Sequence, residues 1–259
     1  MIAVISPAKT LDFENKVEQK SFTVPRLLTQ TNRLIRELRL KKSMEVQELM
    51  SVSENIAQLN VKRYKDYRRE HTVDNSKQSI HAFKGDVYIG LDVDQLDTAD
   101  IEYAQKHLRI LSGLYGLLRP KDIIQPHRLE MGTSLTVGDE PTLYKYWNDR
   151  IVKLVHKDLK EQGDKTIVNL ASNEYFKSIK RKSLKAHVVD VEFLDLKNGK
   201  YKVISFFAKK ARGMMARYII KNRINEIELL KGFDYDGYYF DPQTSTDTHL
   251  VFKRDQVPS

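Results

Sequence analysis

The chain has no cysteine. That excludes disulfides, zinc knuckles, thiol catalysis and a cysteine-ligated iron–sulfur cluster. It also fits a reducing compartment. Proline and glycine are scarce, at 7 and 11 of 259 residues, too few for a linker-rich or disordered chain. No apolar run approaches the ~20 residues that cross a bilayer. The opening run, Met1 to Ile5, is too short for a signal-peptide core, and no positive segment precedes it. A cytoplasmic protein off the membrane is expected. The histidines (His71, His81, His107, His127, His156, His187 and His249) show no ligand spacing, so neither a metal nor another cofactor is expected. Neither Gly-x-Ser-x-Gly nor Walker A is present, so catalysis is left open.

What the chain does have is a 41% apolar content, enough for a sizeable core, and a net charge of +9. That charge favours a polyanionic partner, or marks a generic basic protein. Strands and helices alternate from end to end. "IAVIS", closed by Pro7, reads as a buried first strand. Leu27, Leu28, Thr31, Leu34, Ile35 and Leu38 have helical spacing after Pro25. "DVYIGLDV" alternates and predicts a strand over Val87 to Leu91. Asp97 caps a helix through about Lys106. "LRILSGLYGLLRP" starts as a strand and turns at Gly113 and Gly116, and "TIVNLAS" is another buried strand. Two alternating runs flank Asn198-Gly199, a pair that suits a type I′ hairpin. Ala211, Met214, Met215, Tyr218 and Ile219 form an amphipathic helical stripe. "GYYF" and "HLVFKR" are short closing strands. Interspersed elements and the lack of a linker indicate one compact α/β domain over 1–259: a mixed sheet flanked by helices, with a helical lobe at about 25–68.

Candidate sites follow the positive charge. "LMSVSENIAQLN" breaks a helix for three residues. Ser51-Val52-Ser53 occupies the Gly-hydrophobic-Gly place of a helix-hairpin-helix, and Ala57 its small-residue place. Unpaired N–H groups at such a helix start can face a phosphate. An ordinary helical hairpin capped by Ser53 fits the same residues. Lys62, Arg63, Lys65, Arg68 and Arg69 continue from it as a basic rail. Lys200 to Arg223 holds eight cations and no acid, a pattern that points to a bound anion or to an incidental basic face. Lys209, Lys210 and Arg212 lie at its strand-to-helix junction, where the helix dipole adds to their field. In "SPAKTLD", Lys9 and Thr10 follow the first strand, where α/β proteins gather ligands. Gly113 and Gly116 suit a sharp turn better than a phosphate loop. Arg109, Arg119 and Arg128 lie nearby in sequence. Glu130 and Glu174 are possible acids or bases, although most carboxylates are structural.

"ISPAKTLD", "AFKGDVYIGL", "HLRILSGLYGLLRP", "RLEMG", "KNGK" and "ISFFAKKARGMMARYII" together resemble the YaaA family of bacterial peroxide stress proteins across nearly the whole chain. The resemblance implies a cytosolic bacterial protein that limits peroxide damage, linked in the family to low free intracellular iron. It implies DNA binding by an α/β fold with an embedded helix-hairpin-helix and a basic cleft, and it brings no firmly established reaction. Carried over by position, the hairpin is Ser51-Val52-Ser53 with Ala57. Lys9, Lys84, Arg119, Lys209, Lys210, Arg212 and Arg217 lie in the other matching segments. The expected DNA-contacting set is these residues with Lys62, Arg63 and Lys65, on a monomer gripping double-stranded DNA by its phosphates. The rival expectation is an enzyme acting on nucleotides or damaged DNA in the same cleft, with Lys9, Thr10 and Glu130 around the pocket. An iron buffer ranks last, for want of a ligand pattern.

Overall fold

A computed structural model describes residues 1–15, 17 and 21–256. β1 (Ile2–Ile5) is buried at every position, as a central parallel strand with both faces covered should be. α1 (Leu28–Arg39) buries Thr31, Leu34, Ile35 and Leu38, the stripe its spacing predicts. α2 (Ser43–Met50) and α3 (Glu54–Asp66) follow and pack on each other. α4 is Asp86–Leu91 and α5 is Thr98–His107. The cap expected at Asp97 is present: its carboxylate accepts from the Asp100 N–H at 2.8 Å. β2 (Leu108–Ser112) and β3 (Gly116–Leu118) flank the Gly113 turn. α6 (Leu143–Gln162) leads to β4 (Thr166–Leu170) and β5 (His187–Lys197). β6 (Lys200–Lys202) closes the expected hairpin, with Asn198 and Gly199 both at positive φ (55° and 72°). α7 (Ser205–Lys221), β7 (Tyr239–Phe240) and β8 (His249–Arg254) complete the sheet and its cover.

The eight strands run in the order β7-β8-β5-β4-β1-β2-β3, with β6 on β5. The neighbours β8, β5, β4, β1 and β2 are parallel, while β3, β6 and β7 are antiparallel. The sheet is therefore mixed, and helices flank it. From β1 the chain first reaches β2 on one side, then β4 on the other. That reversal puts a crevice beyond the carboxyl ends of β1 and β4, where open α/β sheets collect ligands.

One expected element is corrected. Val87 to Leu91 is helix, not strand. Val87, Tyr88, Gly90 and Leu91 are buried while Ile89 is exposed, a one-sided stripe of helical spacing. The reason is tertiary. α4 crosses α7 backbone to backbone, and a Cβ on Gly90 would stand 2.0 Å from the Lys210 carbonyl oxygen.

The interruption at Ser51 also gains an account. Ser51 takes the left-handed conformation (φ 49°) and ends α2. Its N–H bonds to Glu48 O at 3.3 Å, and the Val52 N–H to Gln47 O at 3.2 Å. Both hairpin amides thus close α2. The next helical bond, Ala57 N–H to Ser53 O at 3.0 Å, leaves the amides from Ser53 to Ile56 outside the ladder. Ser53 is extended at the N-cap, but its hydroxyl makes no capping bond. Ala57 is fully buried.

Candidate functional site

The crevice predicted by topology is a cleft of about 490 Å3. Five separate parts of the chain build it: the turn after β1 (Ser6 to Thr10), Lys84 to Val87 at the start of α4, Glu130, the turn after β4 (Ser172 to Tyr175), and the first turns of α7 with Lys209 and Arg212. The Ser172 N–H donates to Ser6 Oγ at 2.9 Å, tying the two strand ends together. The Tyr88 hydroxyl donates to Ser6 O at 3.2 Å from beneath.

Four predicted cations line this cleft: Lys9, Lys84, Lys209 and Arg212. Lys9 Nζ meets Glu130 Oε2 at 2.9 Å, and Arg128 Nη2 meets Glu130 Oε1 at 2.8 Å. Lys209 Nζ stands 3.7 Å from Asp86 Oδ2, a loose pair. Lys84 is exposed at the rim. Arg212 is half-buried, and among the described residues neither a hydrogen bond nor an ion pair reaches its guanidinium. Burial lowers its pKa, opposed only by the charge of Glu192. Facing these cations are Glu130 and Glu174, and Glu174 Oε1 accepts from the Gly132 N–H at 3.0 Å. Tyr175 lies between them. Burial, then the charges of Glu174 and Glu130, raise its pKa and keep the phenol protonated.

The remaining candidates lie elsewhere. Lys210 and Arg217 face a second groove on the other side of α7. Lys210 pairs with Asp236 at 3.5 Å and Arg217 with Asp92 at 2.7 Å. Lys221 and Arg223 both reach Asp100 at 2.8 Å. The fold thus brings to α7 the acids its own sequence lacks. Arg119 is held by Asp122 at 2.9 Å. Ser51, Val52 and Ser53 sit on the α2–α3 turn, outside the cleft lining. Lys62 pairs with Asp66 one turn on, and Lys65 is exposed. Arg63 lies against Asn60 Oδ1 at 3.4 Å, and its pKa is lowered by burial and by nearby Arg128. Arg109 is buried against Asp158 at 2.5 Å. Among the described residues, no three His, Cys, Asp or Glu side chains gather as a metal site.

The model of the family described as Peroxide stress protein YaaA matches residues 1–244. The chain belongs to this family. A UPF0246 protein of Alteromonas mediterranea is 51% identical over 256 residues, 99% of each chain. One from Aliivibrio fischeri strain MJ11 is 52% identical over 256 residues, again 99% of each. Family membership supports a role in the peroxide stress response. No helix among the described residues is long and apolar enough to cross a membrane.

Sequence reasoning passed over Ser172, Tyr175 and Asp86 as cleft residues. Ser172 had a usable signal, since it follows a buried strand as Ser6 does. Which strand pairs with β1 is set by topology, which that local pattern does not carry.

Proposed function

We propose that this member of the family acts in the peroxide response by binding DNA, with phosphates seated in the cleft between β1 and β4. Arg212 carries the reading. Its guanidinium is half-buried at the cleft and, among the described residues, has no hydrogen bond or ion pair, so its donors are open to an incoming anion. Lys84, exposed at the rim, adds positive charge beside it, and Lys9 and Lys209 line the same cleft as members of ion pairs. The exposed Lys65 and the amides at the start of α3 that lie outside its hydrogen-bond ladder give the backbone a second contact. Phosphate contacts carry no base information, so binding is sequence-tolerant and falls steeply with salt. Any effect on free iron is then indirect, acting through DNA and not through storage.

The two faces of α7 supply the test. Lys209→Gln and Arg212→Gln should each weaken duplex binding about tenfold and flatten its salt slope by about one. Lys210→Gln, on the other side of α7 and outside the cleft, should leave both unchanged. Equal losses for Lys209 and Lys210 would remove the cleft assignment.

A further inference from the structure

α7 borders two grooves, and they differ in one respect. In the outer groove Lys210, Arg217 and Lys221 each have a carboxylate within 4.0 Å. In the cleft between β1 and β4, Arg212 has none among the described residues. The helix thus presents one groove of paired cations and one in which, among the described residues, a guanidinium has no direct ion pair.

The cleft is also divided by chemistry. Lys84, Lys209 and Arg212 stand on the α4–α7 side, while Glu130 and Glu174 come from other segments. Each carboxylate is fixed, by Lys9 and Arg128 in one case and by the Gly132 amide in the other. Their remaining lone pairs accept hydrogen bonds from hydroxyl groups. Pro7, Ala8 and Val87 supply an apolar wall, and Tyr175 a protonated phenol. A ligand matching all of this has an anionic end, a hydroxylated middle and an apolar surface.

Size and backbone narrow it further. At about 490 Å3 the cleft falls within the roughly 300–1,000 Å3 of small-molecule pockets. The turn after β1 contains Pro7 and no glycine, and no long helix starts there to aim a row of amides at a pyrophosphate. Recognition of the anion falls to side chains, which suits a single phosphate.

We propose that the cleft is a binding site for one nucleotide unit, a nucleoside 5′-monophosphate, with its phosphate at Arg212, Lys84 and Lys209 and its sugar 3′-hydroxyl toward the side that carries Glu130 and Glu174. This rests on the reading that Arg212 takes a phosphate, and adds that the unit bound is a single nucleotide. The phosphate and base are common to a free nucleotide and a nucleotide of a DNA strand, while the 3′-hydroxyl is free only in the former and at a strand end, so the experiment carries both.

The wild-type chain is titrated with dAMP, deoxyadenosine and inorganic phosphate, and duplex binding is then repeated in excess dAMP. The expected result is one dAMP per chain, with deoxyadenosine at least tenfold weaker and the duplex displaced. Arg212→Gln and the rim variant Lys84→Gln should each weaken dAMP about tenfold. Glu130→Gln should weaken dAMP while leaving inorganic phosphate unchanged. Lys84 is exposed, so its variant keeps the test valid if the Arg212 variant folds poorly. If the duplex binds and depends on Arg212 but dAMP neither binds nor displaces it, the single-nucleotide site is wrong and the DNA reading stands. If dAMP binds without sensitivity to Arg212 or Lys84, its site is elsewhere and the proposal falls. If neither dAMP nor duplex binds, both readings fall together.

Discussion

At the scale of single residues, burial sets the chemistry. His127 is buried against Tyr115 and Phe83, and its Nδ1 lies 2.8 Å from Gln125 O. Burial depresses its pKa from 6.5 to about 4. The unfolded chain therefore takes up a proton between those values while the folded chain does not. Stability from this group is complete above pH 6.5 and declines as pH falls toward 4. His71, His81 and His107 are shifted in the same direction, each mainly by burial. Between pH 7.5 and 5, His127 alone accounts for a loss of about 2 kcal/mol. Urea unfolding at both pH values should show His127→Gln losing less stability across the interval than the wild type, by about that amount. Identical losses would mean that His127 titrates normally. Arg212 shows the limit of sequence at this scale. Its presence in a basic run was legible, but its lack of a partner was not, because partners are set by the fold.

At the scale of elements, the crossing of α4 and α7 is the joint that shapes the cleft. A Cβ on Gly213 would lie 1.8 Å from Val87 O and 2.7 Å from Leu91 N. Both clashes are with backbone, so no rotamer change relieves them. Gly213→Ala should destabilise the chain by about 3 kcal/mol or more, the upper end of overpacking effects. Because Asp86 and Lys209 sit on the two helices, it should also weaken duplex binding in the fraction that folds. Chemical denaturation measures the first effect, and an unchanged midpoint would show that the helices can separate freely. The same joint explains the misread element. "DVYIGLDV" alternates well enough for a strand, and the pattern does not reveal that Gly90 serves a helix crossing. Where burial is one-sided and local, as in α1, α7 and the β5–β6 hairpin, the sequence pattern and the structure agree.

At the scale of the whole molecule, the net charge of +9 suggested a polyanion, but its distribution needed the fold. Asp86, Asp92 and Asp100 lie more than a hundred residues before 209–223 in sequence, and Asp236 lies beyond them, yet all four stand beside that segment in space. Local reading sees the cations of α7 and cannot see the acids that answer them. The sheet's chain order has a consequence for synthesis. β1 is made first, yet its partners are Leu108 to Ile110 on one edge and Ile167 to Leu170 on the other. At about 5–20 residues per second, on the order of ten seconds passes before the second edge can be covered. Throughout that time the nascent chain carries an apolar strand with an open side, a template for pairing with other chains. A fragment ending at Gln162 holds the chain in that condition. It should be insoluble when expressed alone and recoverable with a chaperone that binds extended apolar segments; a soluble monomeric fragment would show that β1 is sheltered by other means. The strand at the centre of the finished sheet is thus the segment most in need of protection during translation.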